Sequence, residues 1–413
     1  MRKDDNLLQM LSVVGLLLVF LFGKFSLSRL NLADFKVRYA LLAVSLLILL
    51  VFLIRNSRVV KFSQASKVFF LLLLISTLYS TISMYWLKDI TIGVHKFVDV
   101  VFLFFILLSL LVIIHTFENR DRLAVIVAYF FVLVGFVYAS QIFWTILMAD
   151  SFRGEVYKGG YNIQTRILFM SVCSSIFLFA RRDKWWFIVL TCFFLSGIVL
   201  LVSKQGIVSA VFVLMIFLLL KMFNHFKNSI RKEGKILRVA STGRIFKTVA
   251  VISVIVLFFY DRFYRIFNYT ITYCYKFFLY RAFTGEDLTI LAGTDTRARL
   301  FANSIKIIME HPFWGIGLGG YLDVPGIGFY PHNIALEFLL DGGILGGIFF
   351  LIFASYSIYP ILKARKSIYL PFCLIPLYML IVSFISGGLY DFRYYFMWVI
   401  ISLYLISGRY QSR

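Results

Sequence analysis

Residues 97–115 read FVDVVFLFFILLSLLVIIH. A hydrocarbon layer of about 30 Å needs about 20 apolar residues at helical rise, and this block supplies them. In lipid no water is present to bond the backbone, so such a block must satisfy its own N–H and C=O groups as a helix. Comparable blocks lie near Leu7–Gly23, Tyr39–Ile54, Lys67–Trp86, Leu123–Met148, Ile163–Ala180, Trp185–Val202 and Ile207–Phe223. Others follow near Ile245–Tyr260, Ile334–Tyr356, Leu370–Ser386 and Tyr394–Ser407. The chain therefore reads as an all-α polytopic integral membrane protein of about 12 transmembrane helices. The seventh and eighth spans are divided only by Ser203, Lys204, Gln205 and Gly206.

Composition agrees. Of 413 residues 61% are hydrophobic and 15% are charged, where a soluble domain carries about 25% charged residues. The net charge of +22 would suit nucleic acid, but its placement follows the membrane. With Arg2 and Lys3 cytoplasmic, the short loops on that side collect the larger share of Lys and Arg, as the positive-inside rule requires. Both termini are expected in the cytoplasm, and no nucleic-acid partner is expected. The first outer loop, with Lys24, Arg29, Lys36 and Arg38, is more basic than this orientation predicts. The first block lacks a small-residue cleavage site and reads as an uncleaved anchor. Cys173, Cys192, Cys274 and Cys373 are not spaced for metal or disulfide pairing.

Two connections are long. Lys221 to Lys247 is a basic segment that reads as a solvated cytoplasmic determinant of topology, placed near anionic head groups of membrane lipids. Asp261 to Pro331 mixes Arg and Lys with Phe and Tyr, which is too aromatic for disorder and too long for a plain connector. Within it, Thr296 to Glu310 has a helical pattern, with Leu300, Phe301, Ser304, Ile307 and Ile308 on one face. Three regions follow: a transmembrane bundle of about nine spans over 1–260, an extracytoplasmic catalytic loop over 261–333, and a C-terminal bundle of about three spans over 334–413. No internal repeat of the transporter kind is visible.

The end of the loop carries the motifs. His311-Pro312-Phe313-Trp314-Gly315-Ile316-Gly317 opens a glycine-rich turn, and Tyr330-Pro331-His332-Asn333 is followed after nine residues by Gly343-Ile344-Leu345-Gly346. This HN-x9-GxxG arrangement, with an upstream Arg and an HPxxGIG turn, resembles the O-antigen ligase and polymerase family of bacterial envelope glycan enzymes. Leu201 to Gly206 falls where members carry a short Ser/Thr-Arg-Gly-like turn, with Lys204 here in place of the usual Arg. Ser386 to Arg393, SGGLYDFR, looks like the loop before the last span in polymerase-type members.

The resemblance implies a GT-C-like fold with a large helical periplasmic loop, in the bacterial inner membrane. It implies a metal-independent transfer of glycan from an undecaprenyl-diphosphate-linked donor to a second glycan or to lipid A-core. No cofactor is implied, and a chain-length regulator is a further partner to look for. The departing diphosphate gains charge, which suits arginine, whose planar fork pairs phosphate oxygens and stays protonated. A donor aimed at developing charge in a dry site is worth about 3–4 kcal/mol of barrier. The acceptor hydroxyl must lose a proton, which suits a histidine with an ordinary pKa of about 6.5.

Arg297 holds the position that the family motif assigns to its Arg, fourteen residues before His311, and is expected to bind the diphosphate. Arg299 stands about 200° further round a helix and cannot face the same ligand. His332 is expected as general base or acceptor-positioning residue, at a helix start whose N–H groups also favour an anion. Lys204, Arg281 and Arg166 are further candidates for the diphosphate. Asn333, Glu337, Asp341 and Tyr330 are expected to support the site, the two acids because intramembrane carboxylates are functional by default. His311, Gly343 and Gly346 read as structural.

The Tyr-Pro-His-Asn form and the SGGLYDFR loop favour a polymerase of carrier-linked repeats, with a ligase as the alternative. A lipid-linked sugar transporter or flippase would show repeats and midplane charges instead of one basic outer loop.

Overall fold

The computed structural model of the chain describes residues 3–22, 43–44, 46–47, 50, 54, 62–87, 90–148, 161–201, 203–230, 296–324, 330–389 and 391–407. The regular elements among them are all helical. They are α1 (Lys3–Phe22), α2 (Gln64–Ile82, continued by a 3-10 turn over Ser83–Trp86), α3 (Ile90–His115) and α4 (Arg120–Met148). Next come α5 (Tyr161–Arg182), α6 (Trp186–Leu200), α7 (Lys204–Ile230) and α8 (Thr296–Glu310), then a 3-10 turn at Gly320–Asp323. The last are α9 (Ile334–Ala364), α10 (Leu370–Ser386) and α11 (Arg393–Ile406).

Each expected span coincides with one of these helices except two. The ninth, Ile245–Tyr260, lies outside the described residues, as do Cys274, Arg281 and the first half of the expected loop. The second, Tyr39–Ile54, is described only at isolated positions. Six of the described helices are long and apolar enough to cross a membrane: Gln64–Trp86, Gly93–His115, Arg120–Thr145, Ile163–Arg182, Gln205–Asn224 and Ile334–Ala364. α3, at 26 residues, is about 39 Å long. α6, α10 and α11 are apolar but shorter.

Local chemistry sets the ends. Ser63 Oγ accepts the Ser66 amide at 3.1 Å and caps α2. Asn119 Oδ1 accepts the Arg122 amide at 3.2 Å and does the same for α4. Such caps satisfy amides that the first turn of a helix leaves without partners.

The chain divides into two compact units. The first comprises Met1–Phe130, Thr296–Lys363 and Met379–Arg413. Its centre is α11, which is buried from Arg393 to Leu405 and packs against α2 and α3. A helix buried on every side is what an apolar sequence without a polar face produces. Phe69 of α2, Phe353 of α9 and Phe396 of α11 meet edge-on or tilted, with ring centroids 5.1–6.1 Å apart. The one buried cation of α11 is provided for: Arg393 Nε donates to the Phe20 carbonyl at 3.0 Å, and its guanidinium lies 4.3 Å from the Tyr394 ring centre. Asp391 Oδ1 stands 3.7 Å away. Without such partners a buried charge is not tolerated.

The second unit comprises Phe131–Asp295 and Ala364–Tyr378. In it α5 packs against α6 and α7. α5 turns hydroxyls inward: Thr165, Ser171, Ser174 and Ser175 are all buried. Ser171 Oγ donates to the Phe131 carbonyl at 2.7 Å. Tyr378 donates to the Thr165 carbonyl at 3.3 Å and stacks on Phe169 with centroids 3.8 Å apart. Small hydroxylated residues bonded across helices are the usual means of helix association where apolar burial gives no preference over lipid.

Candidate functional site

In the first unit the motif residues gather at the start of α9. Asn333 Oδ1 accepts the amides of Ala335 at 2.9 Å and Leu336 at 3.2 Å, so Asn333 is the cap of this helix. His332, just before it, has a left-handed backbone with φ 56°. A histidine tolerates that region better than most residues but is still strained there, and such strain collects at functional sites. The His332 ring lies 4.2 Å from the Tyr330 ring, centre to centre. The expectation that amides at this helix start favour an anion changes here: Asn333 already takes two of them.

The glycine-rich turn and the GxxG segment form one interlocked piece. α9 is broken at Gly343, where φ is 56° and ψ is −145°. Into the break fit two main-chain bonds, Ile316 N–H to the Leu340 carbonyl at 2.7 Å and Ile344 N–H to the Pro312 carbonyl at 2.9 Å. A Cβ at Gly343 would overlap the Phe313 carbonyl, and one at Gly315, also left-handed, would overlap that of Leu340. Two main chains approach this closely only where neither carries a side chain. Gly343 thus serves a sharp break in the helix, a more specific role than close helix packing.

Glu337 and Asp341 point to a residue that the sequence reading left aside. Lys96 Nζ of α3 lies 2.5 Å from Glu337 Oε1 and 3.4 Å from Asp341 Oδ2. The second oxygen of each acid takes a loop amide: Glu337 Oε2 accepts Leu389 N–H at 2.7 Å, and Asp341 Oδ1 accepts Gly319 N–H at 3.0 Å. Ser83 Oγ accepts the Leu318 amide at 3.0 Å, tying the same turn to α2. Removing one partner of a buried ion pair costs about 3–5 kcal/mol, because the other charge is left behind. The available signal was a lysine, with Asp99 three residues on, in the early turns of a 26-residue helix that is apolar over most of its length.

The SGGLYDFR loop joins the same place. Besides the Leu389 bond, the Gly387 amide reaches the His332 carbonyl at 3.4 Å. Gly388 lies against both Tyr330 and Glu337, close enough that a Cβ would stand 3.2 Å from each. A cavity of about 30 Å³, lined among others by Ser80, Ser83, Tyr79, Glu337, Asp341 and Leu389, opens beside the acids. It has room for a water molecule.

α8 has the bounds and the buried face expected of it. Leu300 and Ser304 are buried, and Ile307 and Ile308 pack on a cluster of Leu300, Tyr321 and Leu340. Tyr321 donates to the Leu300 carbonyl at 2.7 Å. Burial pushes the Tyr321 hydroxyl above its ordinary pKa, and a bond to Ser304 partly opposes this, so it remains a donor. Arg297 lies in the first turn of α8, one turn before Leu300, and Arg299 is exposed.

The remaining candidates belong to the second unit. Arg166 of α5 is 1% exposed. Lys204 is the first residue of α7, after buried Ser203, whose Oγ accepts the Gly206 amide at 3.3 Å. Gly206 meets Thr165, where a Cβ would stand about 2.9 Å from its side chain. The Ser203–Gly206 turn therefore packs on α5 one residue from Arg166.

Among the described residues no group of three or more His, Cys, Asp or Glu is placed to hold a metal ion. A search of curated proteins finds no match to the chain. Residues 186–351 match the family model of the O-antigen ligase. That segment contains Lys204, Arg281, Arg297, His332, Glu337 and Asp341, and it leaves out Lys96, Arg166 and the SGGLYDFR loop. Over residues 186–351 this chain is similar to the O-antigen ligase family, a match that supports the O-antigen ligase and polymerase resemblance read from its motifs.

Proposed function

We propose that the protein is a glycosyltransferase of about twelve spans and GT-C-like form that polymerises undecaprenyl-diphosphate-linked repeat units at the outer face of the bacterial inner membrane. The observation that carries this is the gathering of His332, the glycine turn and the SGGLYDFR loop at one helix start, inside and beside a segment of O-antigen ligase type. Both termini would be cytoplasmic, and the loop of 261–333 would carry the chemistry between the bundles of 1–260 and 334–413.

In this reading His332 takes the proton of the acceptor hydroxyl as its oxygen bonds to the anomeric carbon. The bond from that carbon to the diphosphate oxygen breaks, and the electron pair leaves with the carrier. Arg297 takes up the charge that develops there, with Lys204, Arg166 and Arg281 as further cations. Lys204 acts as a point charge where an arginine would grip with two donors. Tyr330 and Asn333 hold His332 in place. No metal ion is called on, since fixed cations of the protein serve the same end.

The similarity of residues 186–351 to the O-antigen ligase favours a second reading in which the acceptor is lipid A-core. One experiment separates the two. Expression in a strain lacking its own polymerase should restore a ladder of glycan lengths. A single repeat attached to core in a strain lacking its ligase would establish the ligase instead. Neither product would remove both readings.

A further inference from the structure

We infer that Lys96 is a positioning residue for glycan transfer, holding the two loops that flank His332 in register through Glu337 and Asp341; the inference rests on the function proposed above. Lys96 lies outside residues 186–351 and outside every motif read from the sequence. Its ammonium stands 2.5 Å from Glu337 Oε1 and 3.4 Å from Asp341 Oδ2. The Lys96 side chain is 18% exposed, and those of its partners are 4% and 11% exposed.

The division of oxygens is what matters. Each carboxylate gives one oxygen to the ammonium and the other to a loop amide, Leu389 for Glu337 and Gly319 for Asp341. Leu389 belongs to the loop whose Gly387 amide reaches the His332 carbonyl and whose Gly388 lies on Tyr330. Gly319 belongs to the turn that is locked into the break of α9. One cation therefore governs the orientation of both loops. Two carboxylates one helical turn apart repel each other where water is scarce, and a single ammonium between them offsets that repulsion. Without it the acids turn apart and the two amides lose fixed acceptors.

The same geometry separates Lys96 from the diphosphate ligands. Its charge is engaged by two carboxylates of the protein, so it acts through the loops and not on substrate. A scaffold role alone would lower the stability or the folded fraction and leave turnover per folded molecule unchanged. A positioning role lowers turnover in folded protein, because catalysis falls steeply when a group is displaced by as little as an ångström.

The test compares the full-length wild type with Lys96→Met, Lys96→Gln and Lys96→Arg in phospholipid nanodiscs. A synthetic undecaprenyl-diphosphate-linked oligosaccharide serves as donor and acceptor. Turnover number and KM per folded molecule are read beside the thermal midpoint. Lys96→Met should lose about tenfold or more in kcat with KM within about threefold, and Lys96→Arg, which can pair both acids, should return kcat to within about threefold of wild type. Wild-type kcat in folded Lys96→Met overturns the inference. So does a folded Lys96→Arg no more active than Lys96→Met. Should Lys96→Met fail to fold, Lys96→Gln decides: it keeps one donor, and a wild-type kcat there overturns the inference as well. A wild-type chain that transfers no sugar refutes the proposed function, a result visible before any variant is ranked, and removes this inference with it.

Discussion

The Pro312 carbonyl accepts the Ile344 amide at 2.9 Å, which fastens the turn after α8 to the break in α9. The two segments lie about thirty residues apart in the chain, and each is shaped for the other. The break frees the Ile344 amide from its helical partner, and the turn supplies the replacement. The buried cluster of Leu300, Tyr321 and Leu340 then holds α8 against the same piece. In this way the first turn of α8, with Arg297, and the start of α9, with His332, are built on one rigid support.

Gly343→Ala should be severe. It combines a left-handed backbone with overlap onto the Phe313 carbonyl, and the cost should be about 3 kcal/mol or more. Thermal unfolding of the purified protein in detergent would register this. Ile348→Ala, at an exposed position of the same helix, should move the midpoint far less, and equal midpoints in the two variants would contradict the interlock.

Asn333→Ala removes the cap of α9 and should cost about 1 kcal/mol, whereas Asn333→Ser should retain most of it. If the cap also sets the His332 backbone, glycan transfer should fall in the alanine variant and recover in the serine variant. Identical activity in both would confine Asn333 to stability.

His332→Gly offers a cleaner separation of roles than His332→Ala. Glycine accepts φ 56° without strain, so relief of that strain should offset the loss of ring contacts, leaving stability within about 1 kcal/mol of wild type. Transfer should nevertheless be abolished, because no group remains to take the hydroxyl proton. Activity retained by a folded glycine variant would remove His332 from the reaction.

Arg297→Ala should abolish transfer with the protein still folded in the membrane. Arg297→Lys should recover only part of it, since a point charge replaces a two-pronged grip. Arg299→Ala, at an exposed position, should be mild. Equal losses at 297 and 299 would refute the assignment of the two residues to different helix faces.

Much of this was legible beforehand. The bounds of α8 follow from a local pattern of apolar residues at helical spacing, with Pro312 just beyond the end. The spans follow from blocks of apolar residues, and a helix in lipid depends on its own backbone bonds alone. The helix start at Asn333 was also foreseen, though not the work of that residue as a cap that takes up two amides. The break at Gly343 was hidden, because a GxxG pattern suits close packing as readily as a left-handed turn.

Lys96 was hidden for a different reason. Its partners lie 241 and 245 residues away, and nothing in its neighbours names them. The sequence alone determined the apolar helices of the described residues, six of them long enough to cross a membrane, and placed the motifs at the start of α9, because helix formation in lipid and helix capping are decided by residues a turn or two apart. Only the tertiary structure decided which oxygen of Glu337 and Asp341 meets the Lys96 ammonium and which meets a loop amide. That choice depends on bringing α3, the glycine turn and the SGGLYDFR loop to one point, and the energy of a buried charge is set by what surrounds it in space.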